Sequence, residues 1–153
     1  GVVASDGGEW LLDGERAPPQ TRPLPEDAWS HPRSAGTFAR FLRMYVREAG
    51  AISLLEAIDR VSYGPARILE DSVPQMRRKG RLQPGADADI VVFDPARVGD
   101  RATYETPART STGIEYVLVN GVVLVADGVL DPQAMPGRAI RNASRSATDS
   151  GAS

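Results

Sequence analysis

The chain has 153 residues, enough for one ordinary domain, and its 41% hydrophobic and 25% charged residues are the balance of a water-soluble globular protein. A net charge of -2 argues against the basic surface that nucleic acid or an anionic membrane would need, and without cysteine the chain can form neither a disulfide framework nor a thiolate zinc site. No apolar run nears the ~20 residues that span a bilayer and no signal segment is visible, so the expectation is a cytoplasmic protein with no membrane or nucleic-acid partner.

The opening run Gly1-Val2-Val3-Ala4-Ser5-Asp6-Gly7 is a short apolar, β-branched stretch that ends abruptly in Ser-Asp-Gly. A buried parallel strand delivers a carboxylate to the mouth of an α/β barrel in this way. Residues 1–6 are therefore expected to be a strand, and such a strand needs neighbours on both sides. The expectation is the C-terminal part of a larger protein, beginning just before its last barrel strand. Residues 7–36 are rich in Gly, Pro and charge and lose all hydrophobic period, which predicts a long surface loop of the kind that serves as a functional lid. From Thr37 the residues Phe38, Phe41, Leu42, Tyr45, Val46 and Ala49 recur at helical spacing, with Thr37 as the expected N-cap and Gly50 after the C-terminus. Ser53-Leu54-Leu55-Glu56 is a capping box opening a second helix, whose apolar face is Leu54, Leu55, Ala57, Ile58 and Val61. Gly64-Pro65 is expected to break it and to start a short third helix with Pro at its first position.

The second half turns to β signals. Ala88 to Phe93 is a short apolar strand stopped by Asp94-Pro95. Ile114 to Val119, then Asn120-Gly121, then Val122 to Val125 is a hairpin, because Asn-Gly suits a type I′ turn in which both central residues take positive φ. Asp127-Gly128 marks another turn. From about Asn142 the Ser/Ala/Asn/Thr tail has no core-forming pattern and is expected to be disordered.

Two places could carry chemistry. One is Asp6. The other is His31-Pro32-Arg33-Ser34-Ala35-Gly36-Thr37-Phe38, in which Arg33 stands between a rigid proline and a helix start, where a guanidinium could clamp a carboxylate. Plainer readings stand beside these. Asp-Gly is ordinary turn chemistry, and an isolated arginine is most often a surface ion-pair partner. His31, the sole histidine, is read as structural or substrate-adjacent, because no second metal ligand lies at useful spacing. Arg77-Arg78-Lys79 is read as a solvated turn. Asp87 and Asp89 are read as fixing a turn before a buried strand through side-chain to backbone bonds.

Four segments together carry a family resemblance: Ser5-Asp6-Gly7; His31-Pro32-Arg33-Ser34-x-Gly36-Thr37-Phe38; Met76 through Asp89, with its Gly80-x-x-x-x-Gly85-x-Asp87-Ala88-Asp89 core; and Val117-Leu118-Val119-Asn120-Gly121. From Gly1 to about Arg141 the chain resembles the C-terminal part of N-acyl-D-amino-acid deacylases (D-aminoacylases) in the metal-dependent amidohydrolase superfamily. The glycine-rich block and the Val-Asn-Gly hairpin are shared across the superfamily, whereas the His-Pro-Arg-Ser block is narrower. The resemblance implies an α/β fold: the C-terminal part of a (β/α)₈ amidohydrolase barrel followed by strands of a small β-sandwich. Residues 1–75 would end the barrel, 76–141 would supply the sandwich strands and 142–153 the tail. The implied activity is zinc-dependent hydrolysis of an N-acyl-D-amino acid, with one or two zinc ions at the barrel mouth polarising the amide. Asp6 matches the aspartate that takes a proton from metal-bound water and passes it to the leaving amine, and it is a candidate metal contact. Arg33 matches the arginine that binds the α-carboxylate, with Gly7 and Ser34 beside it as substrate-binding positions. The family's His-x-His and later zinc-binding histidines have no counterpart in the chain, so by itself it is not expected to hold a catalytic zinc. The stretch between Asp6 and Arg33 is longer than is usual in the family, and Ala35 stands where an aromatic residue is common.

Two alternatives remain at this point. One is a cyclic-amide hydrolase of the hydantoinase or dihydroorotase kind, which shares the sandwich signature but not the His-Pro-Arg-Ser block. The other is a non-catalytic module, in which the Val-rich hairpin pairs with the sheet edge of another chain or of a second copy in a homo-oligomer.

Overall fold

The computed structural model describes residues 1–141; the tail expected from Asn142 lies outside them. The strand expected over residues 1–6 does not form. No strand among the described residues lies beside this segment, and without a ladder partner a β-branched run stays irregular. Val3 N–H instead donates to the Arg60 carbonyl at 2.9 Å.

The long loop is more ordered than its composition suggests. It contains a small hairpin of β1 (Leu11–Leu12) and β2 (Glu15–Arg16). Asp13 and Gly14 turn it with φ of 51° and 81°, the pattern of a two-residue type I′ turn. Leu11 and Trp29 exchange backbone hydrogen bonds at 2.8–2.9 Å, which closes the loop on itself.

Helix α1 (Arg33–Phe41) starts four residues before the expected Thr37. Pro32, at φ -53° and ψ -24°, already holds helical angles, so the helix begins behind it. Thr37 lies inside the helix, its hydroxyl donating to the Arg33 carbonyl at 2.9 Å rather than capping anything. The helix continues in wider π-helical turns over Leu42–Glu48, and Gly50 follows at φ +57°, as expected of a residue past a helix end. The capping box at Ser53 is formed: Glu56 N–H donates to Ser53 Oγ and Ser53 N–H donates to the Glu56 carboxylate. Gly64-Pro65 does not break the next helical run. Helix α2 (Leu54–Ile58) passes through a π-helical stretch, Asp59–Tyr63, into α3 (Gly64–Leu69). Proline has no N–H and its ring crowds the carbonyl four residues back. Ahead of it, Gly64 N–H reaches back five residues to the Asp59 carbonyl, so the turn widens and the helix survives.

The core lies where the two helical runs meet the ends of the sheet. Ala39, Leu42, Ala57 and Val98 are buried there, with Phe41, Val46, Ile52, Leu54, Phe93 and Ile114 packed around them. The pattern of expected core residues holds only in part, since Phe38, Tyr45 and Leu55 lie on exposed faces. The sheet is antiparallel in the order β3 (Ile90–Phe93), β4 (Ile114–Val119), β5 (Val122–Ala126), β6 (Val129–Leu130). Its two tight turns, Asn120-Gly121 and Asp127-Gly128, both take positive φ as their sequences require. Before β3, Lys79 Nζ sits 3.0 Å from Asp87 and 2.5 Å from Asp89, and Arg78 also pairs with Asp87. Asp89 accepts the Asn120 N–H at 2.8 Å, which ties this block to the β4–β5 turn. Both aspartates act structurally through ion pairs, and the backbone bond of Asp89 reaches the distant β4–β5 turn, not the local turn expected. Among the described residues no helix is long and apolar enough to cross a membrane.

Candidate functional site

Asp6 has φ +46°, a left-handed conformation that aspartate tolerates better than most residues. The sharp bend is therefore at Asp6 itself, and Gly7 serves another purpose. A Cβ on Gly7 would stand 3.2 Å from Ser34 Cα, so its absence lets the segment lie against the first turn of α1. Hydrogen bonds hold it there. Gly7 N–H donates to Ser5 Oγ at 3.2 Å and Gly8 N–H donates to Ser34 Oγ at 3.1 Å. Ser34 Oγ in turn lies 2.9 Å from the hydroxyl of the buried Ser30.

This stapling brings the Asp6 carboxylate to 3.2 Å from the Arg33 guanidinium. Arg33 is the first residue of α1. Asp6 is exposed and Arg33 half-exposed, so both head groups can reach a ligand. The four residues singled out in the sequence, Asp6, Gly7, Arg33 and Ser34, thus meet at one place, with Ser34 engaged in holding the backbone.

Beside Arg33 lies a cleft of about 480 Å³ lined by His31, Arg33, Thr37, Arg40, Asp100 and Tyr104. Asp100 anchors its far wall. Burial is the largest single influence and opposes its charge, but hydrogen bonds from Arg43 Nε at 2.9 Å and Arg40 at 3.4 Å, a backbone hydrogen bond and the charge of Arg43 together hold the carboxyl below its ordinary range. Gly36 makes this contact close, since a Cβ there would stand 3.1 Å from Asp100 Cβ. His31 is engaged at both ring nitrogens: Nδ1 accepts the Arg33 N–H at 3.1 Å and Nε2 lies 3.2 Å from the Tyr104 hydroxyl. Tyr104 and Asp100 were not foreseen as neighbours of the site. Each is a single residue in a polar loop, with no pattern around it to mark it.

Residues 23–125 match the sequence profile of the amidohydrolase family. The chain belongs to that family. It is 44% identical over 118 residues to an N-acyl-D-glutamate deacylase of Alcaligenes xylosoxydans xylosoxydans, covering 77% of this chain and 23% of the relative. Among solved structures it resembles an N-acyl-D-glutamate deacylase of Bordetella bronchiseptica complexed with zinc and a phosphonate inhibitor that mimics the tetrahedral intermediate. The TM-score is 0.65 and the identity 41%, over 92% of this chain and 25% of that one. A D-aminoacylase described by its binuclear metal centre matches with a TM-score of 0.59 and 39% identity over 66% of this chain and 20% of that one. The chain thus spans about a quarter of the length of the first two relatives. Its mixed helices and strands form an amidohydrolase-type fold. The metal of the relatives does not fit the residues present here: among the described residues no group of three or more His, Cys, Asp or Glu side chains could hold a metal ion.

Proposed function

We propose that this chain is the C-terminal portion of a zinc-dependent deacylase that hydrolyses the amide bond of N-acyl-D-amino acids to a carboxylate and a D-amino acid. Residues 1–75 then belong to the end of a (β/α)₈ barrel and residues 76–141 to a small β-sandwich. Zinc, present in the solved deacylase, is the expected cofactor, held mainly by residues that are not in this chain, with Asp6 as its candidate contact here.

The observation that carries this reading is the Asp6–Arg33 pair, a carboxylate and a guanidinium 3.2 Å apart, with Arg33 also lining a cleft. An N-acyl amino acid has an amide and an α-carboxylate one carbon apart, so its cleavage calls for a proton-transfer group beside an anion anchor. Arg33 binds the α-carboxylate through its forked N–H donors. Asp6, accessible on the same side, takes a proton from the attacking water and gives it to the departing amine nitrogen. Gly7 and Ser34 fix the distance between them. The hairpin-bearing segment 7–36 is a candidate lid over this site.

The test is Arg33→Met in the full-length zinc-loaded protein. KM for an N-acetyl-D-amino acid should rise on the order of tenfold or more, the loss expected for a charge-assisted hydrogen bond. KM for the corresponding α-carboxamide, already without the anion, should be unmoved. Equal effects on both substrates would remove Arg33 from the anchor role.

A further inference from the structure

The residue before α1 is Pro32, whose side chain can accept no hydrogen bond, so the first N–H groups of the helix need another acceptor. His31 supplies two. Its carbonyl accepts the Ser34 N–H at 2.9 Å and its Nδ1 accepts the Arg33 N–H at 3.1 Å. A side-chain acceptor at one residue taking the N–H two residues on is the geometry of an Asx turn, here made by an imidazole. A nitrogen that accepts carries no proton, so the neutral ring is protonated at Nε2. That N–H faces the Tyr104 hydroxyl at 3.2 Å, and the two rings meet edge-on with centroids 5.2 Å apart. Tyr104, which also lines the cleft, fixes the ring from a separate segment of the chain.

The imidazole of His31 takes the N–H of Arg33 itself, while the His31 carbonyl takes that of Ser34. Among the described residues the guanidinium itself is tethered only by the exposed pair with Asp6, a weak restraint. Where the head group reaches is therefore decided at the backbone of Arg33. We propose that His31 is the positioning residue of the Arg33 anchor, held in its Nε2-protonated tautomer by Tyr104, an inference that rests on the reading of Arg33 as the carboxylate-binding residue. A looser first turn would let the Arg33 side chain swing away from the carboxylate, whereas the Asp6 segment stays tied through the Gly8 N–H to Ser34 Oγ, which the buried Ser30 hydroxyl holds at 2.9 Å. The expected signature is a loss in binding and not in turnover.

In ¹⁵N-histidine NMR of the full-length zinc-loaded protein, His31 is assigned as the ring signal that disappears in His31→Asn. The spectrum should show a protonated Nε2 and an unprotonated Nδ1; a proton on Nδ1 would overturn the proposal. In the full-length zinc-loaded protein, His31→Ala should raise KM for an N-acetyl-D-amino acid about 3- to 10-fold, the equivalent of one hydrogen bond, with kcat within about twofold. His31→Asn, whose Oδ1 can accept the same N–H, should restore KM to near the wild-type value. An Asn variant as impaired as the Ala variant, or a loss shared equally by kcat, would overturn it. Arg33→Met separates the two layers. If that change raises KM and His31→Ala does not, the positioning role falls and the anchor stands. If Arg33→Met leaves KM unchanged, the anchor falls and the positioning role falls with it.

Discussion

Asp6→Asn should impair turnover and strengthen the hold on the carboxylate at the same time. Asn accepts positive φ as readily as Asp, so the backbone at φ +46° is kept and only the charge is lost. In the free protein the Asp6 carboxylate competes for Arg33 at 3.2 Å, with the two side chains 88% and 45% exposed. A pair so exposed is worth about 0.2–1 kcal/mol, which sets both the folding cost of the change and the competition that a substrate carboxylate must overcome. Removing the competitor should tighten binding by about 1.4- to 5-fold. Loss of the proton shuttle should lower kcat by about 10²- to 10⁴-fold. Binding is measured by calorimetry with a free D-amino acid, the product, which neither protein turns over, and kcat by release of amine. Zinc content is recorded for both proteins so that an altered metal load is not mistaken for lost proton transfer. An unchanged kcat, or weaker product binding in the variant at equal zinc content, would refute the reasoning.

Three further outcomes follow from the same geometry. Gly113 has φ +73° and its missing Cβ would fall 2.4 Å from Val98 N, so Gly113→Ala must move backbone and should cost beyond about 3 kcal/mol in denaturant unfolding; Gly121→Ala, with its nearest neighbour at 3.9 Å, should cost only the left-handed penalty of about 1–2 kcal/mol, and equal losses would refute the contrast. Burial, the largest single influence on Asp100, raises its pKa, but the Arg43 and Arg40 hydrogen bonds, the charge of Arg43 and a backbone hydrogen bond together hold it below its ordinary 3.8, so its stabilising contribution is present above about pH 3.8 and is lost as pH falls through the depressed folded-state value; Asp100→Asn should flatten stability against pH across that acid window, and an unchanged acid limb would contradict the assignment. Replacing the Leu11–Arg16 hairpin with a short flexible link should raise KM and leave zinc content unchanged if segment 7–36 is a lid, whereas an unchanged KM would exclude that role.

What was legible in the sequence was local chemistry with one solution. Asn120-Gly121 and Asp127-Gly128 could only be tight turns, and Ser53 with Glu56 could only open a helix. The same rule was available at Asp13-Gly14, between two Leu and a Glu-Arg pair, but the surrounding prolines and glycines hid a hairpin of two-residue strands. Failures came where a distant partner decides. The β-branched run at residues 1–6 reads as a strand, yet a strand exists only in a ladder, and none of the described strands reaches it. The start of α1 was misplaced at Thr37 because the true first-turn acceptor is the imidazole of His31, a residue that no capping rule nominates. Asp6 and Arg33 were each visible as chemistry. Their meeting depends on Ser34 taking the Gly8 N–H and on the missing Cβ of Gly7, contacts that a linear reading does not reveal.

The most direct test of the account is hydrolysis by the full-length zinc-loaded protein of a panel of N-acetyl-D-amino acids, their L enantiomers and a cyclic amide such as dihydroorotate. The account predicts turnover of the D compounds, with the L enantiomers and the cyclic amide poor or inert. Turnover of the cyclic amide with the N-acyl-D-amino acids untouched would contradict it.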